Sequence, residues 1–214
     1  MVVDGISFLE GHCVVCRCSR DCRRGDGDIL SRVLRSIPLA ATIAFSVVPF
    51  LEPVMGPLPY DLLTDLWREE VCMQSLPSTC GAASSATVLR QFGISASEGD
   101  VVRAAYSYVN GTEAWYLARF LRKKGCEVRF RTGVTPEDSL RLPAIVGVDI
   151  IGVGHFVPFL EQTGPGRFVI GDPLRGREEL SLAVLGARYR FTGWCMEVSR
   201  PRQIRPASQS RDGG

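Results

Sequence analysis

Residues 74–94 read QSLPSTCGAASSATVLRQFGI. This stretch predicts a helix that begins at Thr79 or Cys80, just after a Pro-Ser-Thr turn, and ends at Gly93. The first turns of that helix carry only glycine, alanine and serine, which suits a helix packed closely against other backbone. A cysteine in its first turn lies at the positive end of the helix dipole, which stabilises a thiolate. Cys80 is therefore a candidate nucleophile, and the alternative is a buried structural cysteine.

The order of the remaining elements predicts the fold class. Two further helices, at residues 97–109 and 112–124, begin at a serine or threonine cap. Apolar runs bounded by turn residues then predict strands at 127–131, 144–150, 155–162, 167–170 and 189–198, with a short helix at 181–187. Helices followed by strands are typical of an α+β fold rather than of alternating βαβ units. We therefore predict N-terminal helices packed on an antiparallel sheet.

Composition divides the chain into one main domain and several appendages. The chain has 214 residues, of which 45% are hydrophobic and 22% charged, enough for a sizeable core. The predicted segments are a basic, Cys-rich arm (1–36), a hydrophobic segment (37–52), a linker with a short helix at 60–70 (53–70), a compact domain (71–200) and a disordered tail (201–214). The net charge of +2 is too small to indicate a nucleic-acid partner.

The hydrophobic segment suggests a location. Between Ile37 and Leu51 the chain carries no charged residue. A helix of that length spans roughly 22 Å, so reaching across a hydrocarbon core of ~30 Å requires residues from the preceding arginine-rich stretch. We predict a single-pass membrane anchor, with the basic arm in the cytoplasm and the compact domain outside it. The alternative is a helix that packs on the domain of a cytoplasmic protein.

The eight cysteines form two groups. Four lie together in the arm, namely Cys13, Cys16, Cys18 and Cys22. Their thiolates could bind zinc or another soft metal, although the spacing is tighter than in common zinc modules, and an unstructured basic arm is the alternative. The other four are scattered, and a reactive Cys80 would leave three of them, an odd number that argues against a disulfide framework. No cofactor or metal is predicted for the compact domain.

A cysteine nucleophile needs an imidazole close to it in space. The sequence contains two histidines, His12 in the arm and His155 at the start of the predicted strand HFVPFL. His155 is therefore the candidate general base, and a buried histidine with a structural role is the alternative. An acid must orient the ring, and Asp172 follows the next apolar strand in FVIGDP. Asp149 and Glu161 are rivals for that role, and Asp172 could instead cap the turn before the following proline.

Gln74 lies six residues before Cys80. A side-chain amide at that place can donate a hydrogen bond to a developing oxyanion, beside the backbone N–H of Cys80.

Together these motifs resemble those of the double-glycine leader peptidases, papain-like cysteine peptidases that process bacteriocins. The resemblance covers residues 72–197 and rests on QSLPSTCGAASSATVLRQFGI, GHFVPF, GDPLRG and ARYRFTGWCMEV. It implies that Cys80 attacks the substrate, that His155 acts first as base and then as acid, that Asp172 orients His155, and that Gln74 contributes to the oxyanion hole.

The sequence departs from the pattern of the resembled family at two places. Thr79 stands where an aspartate is common, and Pro158 interrupts the strand after the histidine, where an aliphatic residue is common. Both departures leave the candidate catalytic residues in place and bear on substrate preference.

The resemblance implies an endopeptidase that cleaves a leader peptide after Gly-Gly through a thioester acyl-enzyme. Many members are fused to a transporter with an ATPase domain, but this sequence has no G-x-x-x-x-G-K-[ST] phosphate loop. We therefore expect the protein to act alone or with a separately encoded ABC transporter. Two other functions are open: a catalytically inactive module that only binds leader peptides, and a papain-like acyltransferase.

Overall fold

The computed structural model describes residues 22–200. The elements in chain order are α1 (Cys22–Met55), a 3-10 turn (Tyr60–Leu62), β1 (Trp67–Arg68), β2 (Val71–Cys72), α2 (Cys80–Gln91), α3 (Glu98–Ala104), α4 (Ala114–Lys123), β3 (Glu127–Thr132), β4 (Ala144–Ile150), β5 (Val153–Gly164), β6 (Arg167–Asp172), β7 (Gly176–Ser181), α5 (Leu182–Arg188) and β8 (Arg190–Ser199). The chain divides into two units, residues 1–50 and 51–214.

A six-stranded antiparallel sheet forms the centre of the second unit. Its strand order is β3-β8-β4-β5-β6-β7, and β1 and β2 form a separate two-stranded ribbon. Helices α2 to α4 precede this sheet in the sequence and pack against it through a common apolar core. The predicted α+β fold with an antiparallel sheet is confirmed.

Helix α2 lies directly on the sheet because its first turns carry small residues. A methyl group on Gly81 would lie 2.9 Å from Leu117 Cδ1 and 3.1 Å from Phe156 Cδ2, so a larger residue would push α2 away from α4 and β5. The hydroxyl of Ser84 donates a hydrogen bond of 3.0 Å to the carbonyl oxygen of Phe156 on β5. This close packing fixes the start of α2 relative to β5.

Two apolar clusters hold the domain together. The first lies between the helices and the sheet and includes the fully buried Leu89, Leu117 and Met196. The second includes Phe159 on β5 and Leu185 on α5, both fully buried. Each such side chain contributes about 1.5–3 kcal/mol through the removal of its apolar surface from water.

The structure corrects one predicted helix and adds three strands that were not predicted, β1, β2 and β7. The helix predicted at 60–70 is wrong, because only the 3-10 turn Tyr60–Leu62 forms there, and Trp67–Arg68 forms β1. The strand β7 was not predicted, since GREELS carries three charged residues and lies at the edge of the sheet.

The predicted arm and the predicted hydrophobic segment meet within one helix. Helix α1 begins at Cys22, inside the arm predicted for 1–36, and continues through residues 37–52. Within residues 22–200, no helix combines the length and the apolar composition required to cross a bilayer. That finding does not support the predicted membrane anchor.

Other predictions fall on residues that the structure does not describe. Cys13, Cys16 and Cys18 lie outside the described residues, as does the tail predicted at 201–214. Among residues 22–200, no group of three or more histidines, cysteines or acids is arranged to hold a metal ion.

Candidate active site

Cys80 is the first residue of α2. Thr79 precedes the helix at its N-cap position, and its hydroxyl is engaged in the turn with Leu76 rather than in capping the helix. The first N–H groups of a helix have no partner inside it, so the backbone N–H of Cys80 is one of these available donors. The Cys80 side chain is largely buried and lines a cavity of about 560 Å³ together with His155.

His155 lies on β5, where it is opposite Val148 of β4. Its Nε2 lies 2.9 Å from Oδ1 of Asp172, and Cys80 lies close enough to the same ring to affect its pKa. Burial lowers the pKa of His155, but the interactions with Asp172 and Cys80 outweigh it and raise the pKa to about 9. At neutral pH the ring is therefore an imidazolium beside the sulfur of Cys80.

Asp172 ends β6 and is fully buried. Its carboxylate accepts hydrogen bonds from the His155 ring, from the backbone N–H of Leu174 at 2.9 Å and from the hydroxyl of Tyr189 at 2.6 Å. Burial raises the pKa of Asp172, but these three hydrogen bonds outweigh it and leave the pKa below its usual value. Asp172 is thus a carboxylate held in a fixed orientation.

The two rival acids have other partners. Asp149 on β4 accepts a hydrogen bond of 2.8 Å from the backbone N–H of Gly152, and its second oxygen lies 3.2 Å from Nη2 of Arg190. Glu161 lies further along β5 with an exposed side chain. Of the three candidate acids, Asp172 is the one whose carboxylate contacts His155.

Tyr189 was not singled out from the sequence. It directly follows α5, and its ring is buried in the second apolar cluster with only the hydroxyl meeting Asp172. Burial, and then the hydrogen bond to Asp172, raise the pKa of Tyr189, so that it remains a neutral donor. In the sequence, Tyr189 is an aromatic residue at the start of a predicted strand. Nothing in the sequence shows that its hydroxyl contacts Asp172.

We expect Tyr189→Phe to lower kcat by about tenfold or more while KM changes little, because a hydrogen bond to a charged group contributes about 1.5–3 kcal/mol. The loss should be accompanied by a change in the pH profile of kcat, since Tyr189 acts on His155 through Asp172. Tyr106→Phe is the matched control, because that half-exposed ring has no contact with Asp172. Equal effects of the two substitutions would exclude a positioning role for Tyr189.

Hydrogen bonds fix the backbone of Gln74 and the residue that follows it. The N–H of Gln74 donates to the carbonyl oxygen of Pro173 at 3.0 Å, which ties it to the turn that follows Asp172. The next residue, Ser75, donates from its N–H and its hydroxyl to the buried carboxylate of Glu98 on α3. Glu98, like Tyr189, was not found from the sequence.

The side chain of Gln74 lines a second cavity together with His155. Its Nε2 donates to the carbonyl oxygen of Leu76 at 3.0 Å and retains a second hydrogen, whereas its Oε1 is buried and has no hydrogen-bond partner among the described residues. A buried acceptor without a partner costs about 1–3 kcal/mol, so the amide is not placed there for stability.

We expect Gln74→Ala to lower kcat on the order of 10²-fold with little change in KM, the effect of losing one oxyanion donor. The comparison variant is Gln91→Ala at the exposed end of α2, which should turn over normally. Steady-state kinetics on a peptide substrate measures kcat and KM for each variant. A purely KM effect of Gln74→Ala would assign the residue to substrate binding instead.

Comparisons with known proteins bear on this site. A model of the peptidase C39 family matches residues 68–202. An uncharacterised protein of Methanothermobacter thermautotrophicus is 30% identical over 139 residues, which cover 64% of this chain and 94% of that protein. The probable functional amyloid protease FapD of Pseudomonas aeruginosa is 26% identical over 155 residues, or 67% of this chain and 66% of FapD.

Two solved structures share the fold. The peptidase domain of Streptococcus ComA, described as a bifunctional ABC transporter of a quorum-sensing pathway, superposes with a TM-score of 0.53 at 22% identity, covering 62% of this chain and 99% of that domain. A double glycine motif protease from an AMS/PCAT transporter, solved with its leader peptide, gives a TM-score of 0.51 at 25% identity, covering 60% of this chain and 89% of that protein.

Proposed function

Because the chain belongs to the peptidase C39 family, we propose that it is a cysteine endopeptidase that cleaves leader peptides after Gly-Gly. The observation that carries this proposal is that Cys80 and His155 line one open cavity, while the His155 ring is hydrogen-bonded to the buried Asp172 behind it. The Gly-Gly preference is supported by the double glycine motif protease, which is 25% identical to this chain over the aligned region.

The proposed reaction begins with the thiolate of Cys80. Its sulfur attacks the scissile carbonyl carbon, and the carbonyl oxygen becomes an oxyanion that accepts hydrogen bonds from the Cys80 N–H and the Gln74 amide. The imidazolium of His155 gives its proton to the leaving nitrogen, the C–N bond breaks, and a thioester remains on Cys80.

Hydrolysis of the thioester completes the cycle. Neutral His155 takes a proton from water, the resulting hydroxide attacks the thioester carbon, and the C–S bond breaks to release the leader as a carboxylic acid. Asp172 stabilises the imidazolium that forms in this step and does not itself take the proton. The buried carboxylate and its three donors suit that positioning role.

The cavity that Cys80 lines suits the leader half of the substrate. Phe156 and Trp194, whose ring centroids lie 5.5 Å apart, form part of its wall, and Val109 lines it as well. Gly147 also lines it, on the strand opposite Phe156. An apolar surface of this kind can bind the apolar side chains of a leader upstream of the scissile bond.

A mass-spectrometric assay tests the proposal directly. The protein is incubated with a panel of Gly-Gly leader peptides and with a thiol-reactive acyl probe. We expect cleavage after the second glycine and labelling at Cys80. Labelling without cleavage, with transfer of the acyl group to an added amine, would favour the acyltransferase, and peptide binding with neither would favour a binding module.

The similarity to FapD supports a second candidate substrate class. FapD is named as a probable functional amyloid protease, and its match covers 67% of this chain. Amyloid-forming polypeptides therefore belong in the same assay. Cleavage of these alone would replace the leader peptides as the substrate.

A further inference from the structure

A second cavity, of about 400 Å³, adjoins the first, and the two share Pro77, Val153, Gly154 and His155 in their walls. The two cavities differ in the active-site residue that each contains besides the histidine. Cys80 lines the first cavity, and Gln74 lines the second. The second cavity therefore lies beside the proton donor of the proposed reaction but does not include its nucleophile.

The chemistry of the proposed reaction distinguishes the two cavities. The acyl half of the substrate becomes bonded to the sulfur of Cys80, so it must occupy the cavity that Cys80 lines. The amine half receives its proton from the ring nitrogen of His155 that does not face Asp172 and then departs, so it must lie beside His155, across the scissile carbonyl from the acyl half. The second cavity meets that requirement.

We propose that the second cavity binds the first residue after the scissile bond and that it selects an apolar side chain there. This inference rests on the proposed peptidase function and adds a preference on the product side of the cut. It makes Leu174 a specificity-determining residue for the reaction.

The lining of the cavity supports an apolar occupant. Leu76, Ile150, Val153 and Leu174 contribute apolar side chains to its wall. Among the described residues that line it, His155 is the only one with a titratable side chain. A charged substrate side chain would lose water there, and the imidazolium of His155 already has the Asp172 carboxylate as its counter-ion. An apolar side chain would be removed from water at no such cost.

Two of these apolar side chains are exposed. Val153 is 67% exposed and Leu174 is 54% exposed. Val153 and Ile150 face each other across the β4–β5 hairpin, so the hairpin holds them in place. Exposed apolar surface that is rigidly held next to a reactive centre is typical of a binding site.

The cavity wall is built on the same turn that orients the candidate catalytic residues. The N–H of Leu174 donates to Asp172, and the carbonyl of Pro173 accepts from the N–H of Gln74. A side chain that fills the cavity and contacts Leu174 therefore contacts the turn that connects the acid with the oxyanion donor. A substrate side chain that fills the second cavity should therefore raise kcat/KM, because it positions the scissile bond.

The test uses substrates that share one leader ending in Gly-Gly and differ only in the residue that follows. That residue is leucine, aspartate or lysine, and a fourth substrate carries a fluorogenic amine with no residue after the cut. We expect kcat/KM for the leucine substrate to exceed that for either charged substrate by about tenfold or more. Equal values for the three peptides would overturn the inference.

Leu174→Lys tests whether this residue sets the preference. The substitution should raise kcat/KM for the aspartate substrate relative to the lysine substrate by several-fold, because the new ammonium faces the cavity. Ile151→Asn is the matched control at the tip of the neighbouring hairpin. Ile151 is 98% exposed, lines neither cavity and has a φ of 53° that asparagine adopts more readily. For Ile151→Asn, the ratio of kcat/KM for the aspartate substrate to that for the lysine substrate should equal the wild-type ratio.

The outcomes separate this inference from the proposed function. If the fluorogenic substrate and all peptides remain uncut and Cys80 is unlabelled by the acyl probe, the peptidase function fails. If the peptides are cut at equal rates, or Leu174→Lys leaves the aspartate-to-lysine ratio unchanged, the peptidase function stands and the assignment of the second cavity is wrong.

Discussion

Replacing Cys80 by alanine is expected to lower turnover of a leader peptide on the order of 10⁶-fold, the scale seen when the nucleophile of a catalytic triad is removed. The reason is that no other atom at this site can form the covalent intermediate. Alanine fits the start of α2, where Cys80 is followed by glycine and two alanines. The fold should therefore survive. Thermal melting would show the intact fold, and single-turnover kinetics would show the loss of turnover.

The other three cysteines of the compact domain provide the control for Cys80. Burial raises the pKa of each of Cys72, Cys126 and Cys195, so they are protonated thiols at neutral pH. Cys126→Ala, which removes a buried thiol outside the site, should keep both activity and labelling at Cys80. Labelling of one of these three thiols in an active Cys80→Ala variant would show that the nucleophile has been misassigned.

Local signals in the sequence were enough to predict most of the fold. The helix predicted from Thr79 or Cys80 to Gly93 corresponds to α2, because the turn, the small residues and the terminal glycine are all local features. Strand β4 forms at the predicted residues 144–150 for the same reason, since its apolar run ends at turn residues. Strands β1, β2 and β7 were missed. Strands β1 and β2 are two residues long each, and β7 carries charges at an edge of the sheet, so all three depend on pairing with a neighbouring strand.

Sequence analysis could predict only those site residues whose side-chain type a cysteine nucleophile requires. The small number of histidines points to His155, and the next strand points to Asp172, which the structure brings to 2.9 Å from the ring. Tyr189 and Glu98 could not be predicted, because their hydrogen bonds link elements far apart in the chain. A transporter partner and a location outside the cytoplasm stay predictions from the sequence.

Asp172→Asn is expected to lower turnover steeply, by about 10⁴-fold if it acts as the same change does in a serine peptidase triad. The amide keeps an oxygen for the His155 ring but loses the negative charge that stabilises the imidazolium. It also places an N–H₂ group where the oxygen accepts the hydroxyl of Tyr189. Peptide binding should change little, because Asp172 is fully buried and lines neither cavity. Equilibrium binding and single-turnover rates measure the two effects separately.

The pH profile identifies the cause of that loss. The interactions with Asp172 and Cys80 raise the pKa of His155 to about 9, so kcat/KM of the wild type should fall as the pH rises through about 9 and the imidazolium loses its proton. Without the carboxylate the imidazolium is less stable, its pKa is lower, and the decline should begin at a lower pH. Asp149→Asn, the same change in a rival acid bonded to Gly152, should leave the rate and the profile unaltered. Near-normal turnover of Asp172→Asn, with the loss in Asp149→Asn instead, would transfer the orienting role to Asp149.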